Sequence, residues 1–233
     1  MSLKIALVSS LSLLSVAACD SQVDGEHQGT VLATLTGSVR TAQPVATASA
    51  EVAVVWVVES GGYSLIGADT VEVEGSFPAQ FQLSIFTPPS DDMLIDWEGM
   101  KFGVAYIVAG PAGNPDHTVT DSWLGAELGR VLVYLPETPP LGSAVAGFLR
   151  GTPAPGFHLY DVHRLTEAER QDRFDCISDL FNADNSHMPT REEMYAACGG
   201  TGRDELSMAA SDLATPLDIE LVDRVDFNDL PQW

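Results

Sequence analysis

Asn182, Asp184, Ser186, Met188, Thr190 and Glu193 stand at positions 1, 3, 5, 7, 9 and 12 of one stretch, with a helical pattern on either side. Calcium takes 6–8 oxygen ligands, and this spacing can wrap side-chain oxygens and the Met188 carbonyl round one ion. Thr190 followed by Glu193 is also a capping box: the hydroxyl accepts from the third helical N–H and the carboxylate reaches back. That second reading uses both residues and needs no ion. Asp91, Asp92, Asp96 and Glu98 share another loop, as cation donors or as a solvated acidic turn. His158, Asp161 and His163 lie close in sequence, but on a strand only 161 and 163 share a face. A general base or metal there needs a further partner from elsewhere. GxSxG, HExxH, a phosphate-binding glycine loop and a dinucleotide fingerprint are all missing from the sequence. A hydrolytic site would have to be gathered from distant segments, with His117, His158, His163 and His187 as its first candidates. No cofactor other than calcium is implied.

The 182–193 spacing resembles an EF-hand loop with three departures. His187 stands where glycine makes the sharp turn, Asn182 replaces aspartate at the first position, and Pro189 occupies the eighth.

The amino terminus carries a different message. Lys4 precedes the short apolar stretch Ile5–Val16, which is too short to span a bilayer. It ends in Val16-Ala17-Ala18-Cys19, small residues before a cleavage point. This sequence resembles the lipobox of bacterial lipoproteins. The resemblance implies cleavage after Ala18, a diacylglyceryl thioether on Cys19 and acylation of the new terminus. More than one acyl chain makes membrane attachment stable, at about 0.8 kcal/mol per buried CH₂. The expectation is a domain in the cell envelope, outside the cytoplasm, joined to its anchor by a tether over 19–28. Its partners are then the membrane through Cys19 and an envelope protein.

The chain has 33 acidic and 11 basic residues and a formal net charge of −22. Loss of the leader, with Lys4 as its charge, makes the mature chain one unit more acidic. The charges are dispersed, which argues against nucleic acid and against anionic lipid head groups as partners of the domain. The chain has 3 cysteines. With Cys19 taken by lipid, Cys176 and Cys198 remain as a pair in an oxidising compartment, which predicts a disulfide.

These residues need a scaffold, and the hydrophobic pattern describes one. Glu51-Val-Ala-Val-Val-Trp-Val-Val-Glu59 is a short β-branched run that predicts a strand buried on both faces. Val52, Val54, Trp56 and Val58 would face one layer and Ala53, Val55 and Val57 the other, making this the central strand. Residues 29–40, 77–85, 101–109, 131–135, 157–163 and 216–222 predict further strands. Residues 63–66 and 70–74 predict a hairpin arm after a turn at Gly61-Gly62. Gly37-Ser38-Val39, Pro44-Val45 and Ala50–Val54 are similar to the opening of transthyretin-like and carboxypeptidase-regulatory-like β-sandwich modules, which implies a sandwich and no function. The period then changes from two to helical. Thr166-Glu167-Ala168-Glu169 opens one helix, with Phe174, Ile177, Leu180 and Phe181 as its apolar stripe, and Thr190 opens a second that ends at Gly199-Gly200.

The fold expected is mainly β: an antiparallel β-sandwich over 29–224 with a disulfide-stapled αα-hairpin inserted at about 166–200, before the last strand. Residues 225–233 form a tail. The expected role is binding or structural and non-catalytic. The alternatives are a calcium- or carbohydrate-binding module, and a hydrolase with a non-local site.

Overall fold

The structure, a computed structural model, describes residues 29–41, 49–59, 63–74, 77–114, 116–183, 188–201, 206–222 and 225. The strands are β1 (Ala33–Thr41), β2 (Ser49–Glu59), β3 (Tyr63–Glu74), β4 (Ala79–Ile85), β5 (Ile95–Trp97) and β6 (Met100–Pro111). There follow β7 (Gly125–Ala126), β8 (Arg130–Leu135), helix α1 (Ala144–Phe148) and β9 (Gly156–Arg164). Helices α2 (Glu167–Ala183) and α3 (Arg191–Cys198) come next, then β10 (Leu206–Ser211) and β11 (Leu217–Leu221).

Two sheets face each other. The smaller has the order β11-β1-β4; the larger runs β10-β9-β8-β6-β2-β3, with β5 and β7 paired to β6. Between the sheets lies one apolar layer. Val52, Val54 and Trp56 of β2, Ala105 and Ile107 of β6, Leu35 of β1, Leu83 of β4 and Ile219 of β11 are all buried in it. On the far face of the large sheet lies a second layer, with Ala53, Val55 and Val57 of β2, Val104, Tyr106 and Val108 of β6, and Tyr160 of β9. Helix α1 and Trp123 cover that face through Val145, Leu149 and the indole. A strand covered on both sides cannot alternate polar and apolar residues, which is why β2 and β6 are continuous apolar runs. The fold is therefore a mainly β sandwich with a helical layer on one outer face.

Several expectations need correction. Strand β2 is internal but second from the edge; β6, between β8 and β2, lies nearer the middle. Residues 63–74 are one strand and not a hairpin arm. Their register against β2 steps from Ala53↔Thr70 to Val54↔Ala68, so Asp69 is an extra residue, and that bulge breaks the apparent pattern. The sheets are largely antiparallel, but β11 pairs with β1 in parallel, Gly37 opposite Leu217. The helical hairpin falls between β9 and β10 and not directly before the last strand, because 206–211 forms an additional strand against β9. Residues 144–148, one short apolar piece in the sequence, are helical. The stripe Phe174, Ile177, Leu180, Phe181 is not the inward face of α2: Phe174 is 60% exposed and Phe181 39%. Gly61-Gly62, residues 42–48 and the tail beyond 225 lie outside the described residues. Among the described residues no helix is long and apolar enough to cross a membrane.

Candidate functional site

Local sequence builds the helical layer. The Thr166 amide and hydroxyl each donate to Glu169 Oε2 at 2.8 Å, and the Glu169 amide donates to Thr166 Oγ1 at 3.3 Å, closing the first helix start. Thr190 and Glu193 close the second in the same way, the Thr190 amide donating to Glu193 Oε2 at 2.7 Å. Gly199, at φ 69°, ends α3 with a left-handed residue and donates its amide to the Tyr195 carbonyl at 3.0 Å. Cys176 on α2 and Cys198 at the end of α3 are joined, with Cα atoms 5.8 Å apart. Helix α3 rests on α1 where Gly147 meets Tyr195. A Cβ at 147 would fall 2.3 Å from the Tyr195 Cβ, so only glycine allows this approach.

Helix α1 ends in a tight turn. The Gly151 amide donates to the Ala146 carbonyl at 2.8 Å and the Arg150 amide to Gly147 at 3.1 Å. Arg150 itself sits at φ 54°, in the left-handed region that glycine occupies without strain. Any other residue there costs about 1–2 kcal/mol. The Arg150 guanidinium reaches across and donates to Ser207 Oγ of β10 at 2.6 Å.

The end of α1, strands β9 and β10 and the hairpin border an open cleft of about 390 Å³. Arg150, Arg173, His163, Glu169, Asp172 and Ser207 line it, and Leu165 and the Cys176–Cys198 disulfide form its less polar wall. Its charged groups carry both signs. Arg173 is the one residue of α2 that is buried. His163 and Ser207 face each other across the β9–β10 register. The His163 Nε2 lies 3.3 Å from Glu169 Oε1. The Thr166 amide and hydroxyl, and then His163, hold the Glu169 carboxyl below its usual range, so it stays an acceptor. The hydrogen bonds present tie Ser207 to Arg150 and His163 to Glu169. A serine nucleophile would need His163 bonded to Ser207 instead.

The structure places the described residues anticipated from the sequence as follows. Asn182 lies in the last turn of α2, Met188 is 74% exposed, and Thr190 and Glu193 are joined in the capping box. Asp184 and Ser186 lie outside the described residues, as does His187. The acidic loop is divided among separate partners. Asp91 pairs with Lys101 at 2.8 Å, Asp96 accepts from the Gly99 amide at 2.9 Å, and Glu98 pairs with Arg191 at 2.7 Å. His158 bonds to the Ala154 carbonyl at 2.7 Å. His117 is buried with Nε2 3.5 Å from Glu51, while its carbonyl accepts from the Trp123 indole at 2.7 Å. Asp161 and His163 share an exposed face as expected but part company: Asp161 lies 3.5 Å from Arg130.

Arg150, Arg173 and Ser207 escaped the sequence reading. A signal for Arg173 was present. Glu169, Arg173 and Cys176 recur at helical spacing, and a disulfide to α3 fixes that face as the inward one. Phe174 lies on the opposite side.

The capping box gives a test of its own. Thr190→Ala is expected to lower stability by about 1 kcal/mol in a denaturant titration, equally with calcium and with chelator. A loss seen only with calcium would place an ion on Glu193.

Compared with protein-family models, curated proteins and solved structures, the chain matches none of them.

Proposed function

We propose that the chain is an exported lipoprotein, held at a membrane surface through lipid on Cys19, whose domain has a non-catalytic binding role in the cell envelope. The cleft beside the helical hairpin is its recognition site. The observation that carries this reading is the Cys176–Cys198 disulfide. It uses two of the chain's three cysteines, and it is a bond kept in oxidising compartments. The third, Cys19, stands directly after Val16-Ala17-Ala18, where lipidation is expected. The hydrogen bonds of the cleft support binding over turnover, since Ser207 and His163 are each engaged by another group.

Cys19→Ser tests the anchor. In the producing bacterium the variant is expected to leave the membrane fraction and appear as soluble exported protein. Retention of the variant with membranes would discard the lipid anchor.

A further inference from the structure

We propose that the cleft takes a small zwitterion bearing both a carboxylate and an ammonium group, of the free amino acid or dipeptide class. The carboxylate would meet Arg150, and the ammonium Asp172. This deepens the binding reading above and rests on it. Three observations converge. First, Arg150 occupies a left-handed position that a glycine would fill without strain, with its guanidinium carried into the cleft. Strain of this kind persists where the surrounding structure imposes it, and such sites concentrate at ligand clamps. Second, the Arg150 contact to Ser207 is to a neutral hydroxyl. A guanidinium has five donors in a planar fork that matches a carboxylate, and among the described residues the hydroxyl of Ser207 engages one end of that fork. Third, the lining holds Arg150 and Arg173 against Asp172 and Glu169, so the two signs balance.

Net charge decides between a simple anion and a zwitterion. The chain carries −22 overall, a balance that disfavours a simple anion relative to a guest with no net charge. A zwitterion has no net charge and still meets both sets of groups. Size points the same way. A cleft of about 390 Å³ lies at the lower end of ligand sites, which run from about 300 to 1,000 Å³. Leu165 and the disulfide supply the less polar wall for a short side chain.

The test is titration calorimetry on the mature chain extracted in detergent, with L-alanine, L-alanyl-L-alanine, acetate and methylammonium as probes. Alanine or its dipeptide is expected to bind at least about tenfold tighter than acetate or methylammonium, because each single-charge probe forfeits a charge-assisted contact. The tighter of the two zwitterions identifies a free amino acid or a peptide as the source. Arg150→Gly is expected to weaken that binding about tenfold or more, with the relieved left-handed strain offsetting the lost Ser207 contact so that the chain stays folded at the titration temperature. Asp172→Asn is expected to weaken the zwitterion and not acetate. Acetate binding as tightly as alanine would overturn the zwitterion and keep a binding cleft. No heat with any of the four probes would overturn the ligand class, while the Cys19→Ser fractionation separately reports on the lipoprotein reading.

Discussion

Trp56→Ala is expected to lower stability by about 3–5 kcal/mol, the range for truncating a fully buried large aromatic. Trp56 is 2% exposed and sits between the two sheets. Its backbone pairs with Ala105 on one side and Ile66 on the other. Its ring fills the space over Gly103, where a Cβ would fall 2.7 Å from the indole Cζ3, and its centroid lies 6.4 Å from that of Phe157. Alanine removes the ring while the strands on both sides hold β2 in place. The neighbours therefore collapse only in part, and the cavity adds to the lost transfer energy. Equilibrium denaturation reads the effect as a lower midpoint at unchanged slope. A loss below about 1 kcal/mol would mean that the two sheets do not meet over this residue.

The double variant Cys176→Ser/Cys198→Ser is expected to lose about 3 kcal/mol, from a loop closed over a sequence separation of 22. The loss should be concentrated in the hairpin. Helix α2 buries Arg173 and leaves Phe174 and Phe181 exposed, so it brings little apolar surface to the sheet. The disulfide ties it to α3, and α3 in turn packs on α1 through Tyr195 against Gly147. Hydrogen exchange should therefore show lost protection over 167–183 while the amides of 52–57 stay protected, as expected when a local unit opens below the global barrier. Equal loss in both segments would show that the hairpin unfolds only with the sandwich. Opening α2 also removes one wall of the cleft, so ligand affinity should fall with it.

What could be read from the chain and what could not divide along physical lines. The double-faced burial of β2 was legible because a strand with an apolar layer on each side leaves an unbroken β-branched run, and the layers fall as 52, 54, 56 against 53, 55, 57. The two capping boxes, the Gly199 stop and the cysteine pair were legible because each is a local device with few alternatives. Strand β3 was misread because the bulge at Asp69 shifts the alternation partway along. Strand β10 was missed because it is a short edge strand in which only Leu206 and Met208 are large apolar residues, too few to set a pattern without β9 beside them. The parallel pairing of β11 with β1 joins residues 180 apart and leaves no local mark. On α2 two stripes compete, Phe174–Phe181 and Glu169–Arg173–Cys176, and only the disulfide chooses between them. The cleft depends on that choice and on three further segments, so no single stretch announces it.

The reading proposed for this chain is an exported domain held to a membrane by lipid on Cys19. Its most direct test is the intact mass, with fragmentation of the terminal peptide, of the protein purified from membranes of the producing bacterium. A lipid-anchored protein is expected to give a chain that begins at Cys19 and carries a diacylglyceryl group and a further acyl group. A chain that keeps residues 1–18, or begins elsewhere with no lipid on Cys19, would contradict it.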